Sequence, residues 1–110
     1  MSADEFDPAI ERLFARTPTM PDAALFTARG AAEGGDGDLR LTLNKEAAGD
    51  VLSLLFQSGY AARAELGLIG DDALMLKACD DAGIWRSVWR VDRATGRIGF
   101  DQGAVRRETT

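Results

Sequence analysis

The feature that most constrains this chain is a change to two-residue periodicity at Leu39, which persists in short runs to Phe100. In the run LRLTLN, Leu39, Leu41 and Leu43 point to one face of an extended chain and the polar residues between them point to the other. Later runs have the same character and are separated by KEAAGD, GY, GDD, DDAGI and RATG, which are turn-type sequences. The predicted strands are residues 39–44, 52–58, 62–69, 74–79, 85–92 and 97–100.

This spacing predicts a mainly β fold, either an antiparallel meander or a small sandwich of about six strands. The run VLSLLF, within residues 51–56, fits a strand, although its leucines and the preceding KEAAGD are also compatible with a helical turn.

The last two predicted strands flank a sharp corner in the sequence WRVDRATGRIGF. Asp92 can accept a hydrogen bond from the backbone two residues later, and Gly96 can adopt the left-handed conformation that closes a short hairpin loop with a bulge. We therefore expect a structural turn that brings Ile98 and Phe100 beside Val91 and Trp89.

A short N-terminal helix is predicted from Asp7-Pro8 to about Arg16. The Asp7 carboxylate can cap free N–H groups, and proline is favourable at the first helical position. Spacings of three and four place apolar side chains on one face of this helix, with one more just before the cap. These residues are Phe6, Ile10, Leu13 and Phe14.

Prolines at positions 18 and 21 end this helix and stiffen the connector that follows it. The sequence therefore divides into an attachment segment, residues 1–22, and a β module, residues 23–110. A helix of this length is marginal alone, so its apolar stripe is expected to bind a groove, either on its own sheet or on a partner protein.

Composition restricts the classes of function. The 110 residues carry a net charge of −5, which disfavours a phosphate backbone as partner. The chain has no histidine and a single cysteine, so zinc sites, histidine-based triads and an internal disulfide are not expected. We expect a non-enzymatic protein without a cofactor or metal, made in the cytoplasm without a signal peptide and not inserted in a membrane.

Two acidic pairs, Asp71-Asp72 and Asp80-Asp81, have the residue types of an acid–base or calcium site. Each pair lies in a glycine-flanked turn where adjacent side chains point apart, which favours solvated turn residues. The stretch GGDGDL shares glycines and an aspartate with the calcium-binding nonapeptide of β-rolls, but Leu39 stands where the second aspartate is needed. This stretch is predicted to be a loop.

The two tryptophans of the predicted strand at residues 85–92 suggest a second hypothesis. Trp85, Ser87, Trp89 and Val91 alternate along one strand, so we expect the two indoles to share a face. Such a pair can form a stacking platform for sugar rings, but it also suits a core or a subunit interface, which we favour.

Residues 44–100 resemble a strand-rich segment of tail-fibre and spike proteins from prophages and phage-derived gene transfer agents. The likeness rests on NK and GD before SLLFQSG, then RAELGL and GDD, a tryptophan-bearing strand, and VDRATGRI. ALFTARG, at residues 24–30, resembles the lead-in to that segment. The chain departs from the pattern at KACDDAGIW and lacks the larger upstream domain of those proteins.

The resemblance implies a structural component of a phage-like particle, a base or adaptor that anchors a spike or fibre to the capsid. The implied partners are further copies of the chain, with a pentamer favoured over a trimer, a major capsid protein or tail component, and the spike or fibre protein. The implied location is the surface of a virion-like particle. The alternative is a carbohydrate-binding module in which Trp85 and Trp89 contact host polysaccharide.

Overall fold

A computed structural model describes residues 22–106, which belong to two compact units, Met1–Leu41 and Thr42–Thr110. The predicted N-terminal helix and its stripe, Phe6, Ile10, Leu13 and Phe14, lie outside the described residues. Among the residues described, no helix is long and apolar enough to cross a membrane.

The described part of the first unit is a loop around one 3₁₀ turn, Ala31–Glu33. Gly34 follows with φ 86°, a left-handed conformation that glycine adopts without strain. The Asp36 carboxylate then accepts a hydrogen bond from the Asp38 N–H at 2.9 Å. GGDGDL is therefore a loop, as the sequence predicts.

The second unit is a five-stranded antiparallel sheet with strand order β1-β2-β3-β4-β5. Every strand pairs with its neighbour in sequence, so the topology is a meander. The mainly β, antiparallel prediction is confirmed. The strands are β1 Val51–Ser58, β2 Ala61–Ile69, β3 Leu74–Cys79, β4 Trp85–Val91 and β5 Ile98–Phe100.

The first of the six predicted strands, residues 39–44, is wrong: these residues adopt no strand conformation. A strand needs a neighbour in register, and none of the described strands pairs with these residues. Its last leucine, Leu43, lines an apolar depression together with Leu52 and Leu68 from neighbouring strands. The alternation of leucines is present, but Leu43 lies over the sheet rather than along its edge.

The β1–β2 and β4–β5 turns show how local sequence sets the register. Gly59 and Tyr60 have φ values of 57° and 65°, as a two-residue hairpin with positive φ at both positions requires. In the β4–β5 turn, the Asp92 carboxylate accepts the Ala94 N–H at 2.9 Å, and Gly96 has φ 77°. The Gly96 N–H donates to the Asp92 carbonyl at 2.7 Å, which closes the loop.

We expect Gly96→Val to destabilise the sheet by roughly 1–3 kcal/mol, because a β-branched residue would be forced into positive φ. Gly99→Val is the matched control, since Gly99 has no positive φ and a Cβ there meets nothing within 4 Å. Chemical denaturation of both variants measures the difference. Equal loss of stability in the two would contradict the turn assignment.

Candidate interaction surface

One side of the sheet, which we call the apolar face, is built from the residues that pair across the strands at every second position. Cross-strand partners in an antiparallel sheet share a side, so the pairing fixes the membership of each face. The apolar face consists of Leu52, Leu54, Phe56, Ala64, Leu66, Leu68, Leu74, Leu76, Ala78, Trp89, Val91, Ile98 and Phe100. Arg86, opposite Ala78, lies at its margin.

The opposite side, the polar face, carries charged and hydroxyl side chains in its centre. The Ser53 hydroxyl donates to the Glu65 carboxylate at 2.6 Å, and Lys77 lies opposite Glu65 on the next strand. Ser87 donates to the Asp101 carboxylate on the same face. Polar pairs of this kind suit a surface in contact with water.

The apolar face is open to solvent. Leu54, Phe56, Ile98 and Phe100 are each about half exposed, at 51%, 50%, 51% and 54%. Among residues 22–106, the one buried hydrophobic residue is Met75, at 5% exposure, and its pairing with Gly67 and Arg90 places it on the polar face. The apolar face is thus a hydrophobic surface without a second layer among the described residues.

The loop before β1 is fixed by a buried cation. The side chain of Lys45 is 8% exposed, and its Nζ donates to the carbonyl oxygens of Ala48, Asp50 and Asp71 at 2.7, 3.1 and 2.6 Å. The three donors of the ammonium group are satisfied, and Asp72 lies 3.2 Å away as an ion-pair partner. This arrangement ties the approach to β1 to the β2–β3 turn.

Lys45 therefore positions Leu43, two residues earlier, against the apolar face. Leu43 lines a depression of about 200 Å³ whose other walls come from leucines of the first three strands and the backbone beside them. The depression is almost wholly apolar, so it suits an aliphatic or aromatic side chain from a partner. No sequence periodicity marks Lys45, since its partners are backbone carbonyls brought together by the fold.

Three of the four aspartates in the two acidic pairs are held by arginines from the strands, and the fourth, Asp72, pairs with Lys45. Asp71 Oδ2 accepts from both Nη1 and Nη2 of Arg90, at 2.6 and 2.7 Å. Asp81 binds Arg63 at 2.8 Å, and Asp80 binds Arg86 at 2.7 Å. The sequence predicts turn residues at these positions, but it does not identify their cationic partners, which lie from 6 to 19 positions away.

Asp80 also organises the β3–β4 turn. Its Oδ1 accepts the N–H groups of Ala82 and Ile84, at 2.9 and 3.0 Å. The hydrogen bond from Arg86, followed by that from the Ile84 N–H, lowers the pKa of the Asp80 carboxyl below its ordinary value of 3.8. Within the described ranges, no group of three or more aspartate, glutamate or cysteine side chains converges as a metal site would require.

The two tryptophans do not share a face, so this sequence prediction is wrong. Trp85 lies opposite Cys79, and Trp89 lies opposite Leu76, three residues earlier on β3. Residues three apart on a strand point to opposite sides. The cause is a bulge, because the register shifts between Leu76 and Lys77 and leaves Val88 as an extra residue in β4.

The bulge places Trp89 and Val91 on the apolar face and Trp85 and Ser87 on the polar face. Phe100 lies opposite Trp89, and Ile98 lies opposite Val91, as expected from the corner sequence. The platform of two coplanar indoles is thus not formed, whereas Trp89 contributes to a continuous hydrophobic surface.

Comparisons with known proteins add no relative: no family model, no curated protein and no solved structure matches the chain.

We expect Lys45→Met to destabilise the protein by about 2–4 kcal/mol, because three carbonyl oxygens lose a charged donor while the aliphatic stem is kept. Lys77→Met is the control, since it removes the same charge from the middle of the polar face. Urea denaturation compares the two. A Lys45→Met variant no less stable than Lys77→Met would contradict the role of this cation.

The ion pair between Asp80 and Arg86 predicts that the stability of the fold depends on pH. The folded-state pKa lies below the unfolded value, so the stabilisation is present above about pH 3.8 and is lost as pH falls through the lower folded pKa. Asp80→Asn keeps an oxygen for the Ala82 and Ile84 N–H groups but loses the charge toward Arg86. We expect a lower melting temperature than the parent at pH 7 and a difference that shrinks below pH 3.8. A difference that stays constant down to pH 2 would contradict the charge-based explanation.

Proposed function

We propose that this chain is a structural component of a phage-like particle, a base or adaptor that anchors a spike or fibre to the capsid. The observation that carries the proposal is the uncovered apolar face, with Leu54, Phe56, Ile98 and Phe100 about half exposed. The likeness of residues 44–100 to segments of prophage and gene transfer agent fibre and spike proteins supplies the kind of assembly.

A single sheet with such a face is suited to permanent association. Stable domains bury the apolar side of a sheet against a second layer. Covering the exposed half of a leucine or phenylalanine stabilises a complex by roughly 1 kcal/mol, so the four side chains above contribute roughly 4 kcal/mol. A partner that supplies the second layer would therefore obtain a substantial part of its binding free energy from these four side chains.

The chemistry of the described residues supports a binding role over catalysis. The four turn aspartates, Asp71, Asp72, Asp80 and Asp81, are each paired with an arginine or lysine. A carboxylate paired in this way ties its turn to a neighbouring segment of the fold, which suits a structural role better than proton transfer. We infer a non-enzymatic role without a cofactor.

The proposed partners are other copies of this chain, a major capsid protein or tail component, and a spike or fibre subunit. Residues 1–22, with the apolar set Phe6, Ile10, Leu13 and Phe14, are proposed to attach the module to the larger shell. The sheet would then contact the spike or fibre through its apolar face, at the surface of the particle. The carbohydrate-binding alternative gains no support from the sheet, because Trp85 and Trp89 lie on opposite faces.

We expect Phe100→Glu to release the protein from the particle components it binds, because a carboxylate would be buried without a partner in the interface. Trp85→Glu is the control, since it places the same charge on the polar face of the same sheet. The measurement is the amount of each full-length variant that co-sediments with phage-like particles from a strain encoding it. Both variants must melt as the parent does, so that release reports binding.

Retention of Phe100→Glu on the particles, at the level of the parent, would contradict use of the apolar face. Absence of the parent protein from purified particles would overturn the proposed function itself.

A further inference from the structure

The outer edge of the sheet at β1 carries none of the features that usually protect an edge strand. The strand Val51–Ser58, VLSLLFQS, is eight residues long and contains no charged residue and no proline. It pairs with β2 on one side, and no other described strand lies beside it. Natural sheets protect long edges with lysine, proline, bulges or a covering segment, so an exposed uncharged edge favours pairing with another strand.

The direction of the free backbone groups in β1 follows from one hydrogen bond. The Gly70 N–H donates to the Asp50 carbonyl at 3.2 Å, which makes this a hydrogen-bonded pair in the β1–β2 register. Backbone groups alternate along an antiparallel strand, so even-numbered residues of β1 point toward β2 and odd-numbered ones point away. The outward set is Val51, Ser53, Leu55 and Gln57.

The β1–β2 bulge leaves this outward set regular. Phe56 pairs with Ala64 and Gln57 with Ala62, so the extra residue, Arg63, belongs to β2. The outer edge of β1 therefore presents N–H and C=O groups at a uniform two-residue spacing along the strand.

We infer that two copies of this chain pair through β1, antiparallel and about a two-fold axis at Leu54, to form one continuous ten-stranded sheet. In this register Val51 pairs with Gln57 of the second copy, and Ser53 pairs with Leu55 of the second copy. Each pair recurs by symmetry, so all four outward residues are satisfied by about eight backbone hydrogen bonds.

The side chains favour the same register. Leu52 lies opposite Phe56 of the second copy and Leu54 lies opposite its own equivalent, so the apolar face continues across the junction. Beyond the strand, Asp50 lies opposite Ser58 of the second copy. No like charges oppose each other along this edge, and one-residue slips are excluded because they would place apolar residues against polar-face residues.

The other edge of the sheet, at β5, has fewer backbone groups free to pair with another strand. β5 has three residues, Ile98–Phe100. The Asp92 N–H donates to the Arg97 carbonyl and the Asp101 N–H donates to the Val88 carbonyl, so residues 97, 99 and 101 point toward β4. Only Ile98 and Phe100 in this strand point outward, which permits about four hydrogen bonds. The β1 edge is therefore the favoured one.

This two-fold contact is independent of the proposed role in a particle, and it differs from the pentamer or trimer that the resemblance implies.

The mass of the unaltered protein in solution tests the two-fold pair. A mass of twice 11.8 kDa in light scattering supports it. A mass of one, three or five copies throughout a concentration series from micromolar to near-millimolar protein overturns it. Loss of binding to particles with the dimer intact would count against the proposed function alone.

Proline at an outward position tests the edge directly. Leu55→Pro removes an N–H that the sheet of one copy does not use, and proline is tolerated at such positions of an edge strand. We expect loss of the dimer with the far-UV circular dichroism of a folded sheet. Ile98→Pro, at an outward position of β5, is the matched control and leaves the dimer intact. A folded Leu55→Pro dimer, or loss of the dimer in Ile98→Pro alone, overturns the inference.

Cysteine cross-linking tests the register in full-length protein with Cys79→Ser. Leu54→Cys meets its own equivalent in a non-hydrogen-bonded pair, where Cα atoms lie about 4.5 Å apart, within the range of a disulfide. In Leu55→Cys the two thiols are displaced along the strands and lie roughly 7–8 Å or more apart at Cα. We expect at least about ten-fold more covalent dimer from Leu54→Cys under mild oxidation. Equal or greater cross-linking of Leu55→Cys overturns the Leu54-centred register even if Leu55→Pro has perturbed folding.

Discussion

The constraint on which this structure depends is that a single antiparallel sheet has two faces and cannot bury either without another layer. In this protein the five strands place thirteen apolar residues on one face, from Leu52 to Phe100, while Met75 is the one buried hydrophobic residue among residues 22–106. A domain of this size has little hydrophobic burial to offset the entropy of folding. Under the proposed function, association would supply the second layer that the described residues do not provide for the apolar face.

With so few buried hydrophobic residues among those described, polar contacts at the strand ends help to define the shape of the sheet. Lys45 joins the loop before β1 to the β2–β3 turn, and Arg90 joins that turn to β4 through Asp71. Asp80 closes the β3–β4 turn with two backbone N–H groups and Arg86. These contacts lie at the ends of the strands, so they set the register and leave the apolar face free. A preorganised face loses less conformational entropy when a partner binds.

The sequence was informative where structure is local. Strand β3, Leu74–Cys79, was predicted to the residue, and the other strands differ from their predicted ranges by about one residue at an end. Asp92 and Gly96 identified a turn because their chemistry acts within five residues. In contrast, alternation at residues 39–44 indicated a strand that does not form, because pairing depends on a neighbour that the pattern cannot reveal.

The interaction surface was harder to predict for the same reason. The hydrophobic positions of each strand can be identified from the sequence. The side of the sheet to which they point, however, depends on the bulges at Arg63 and Val88. An inserted residue of this kind has no sequence signature of its own. Lys45 was also missed, since its ligands are backbone carbonyls. Long-range contacts and register changes thus limited the prediction, whereas periodicity and turn chemistry did not.

The bulge at Val88 has one more consequence, because it separates the only two indoles in the chain. Trp89 belongs to the hydrophobic side, and Trp85, 38% exposed, belongs to the hydrophilic side. One extra residue thereby gives the protein a built-in optical probe on each side of the sheet. In a protein with Trp85 replaced by phenylalanine, emission reports events on one side, and with Trp89 replaced it reports events on the other.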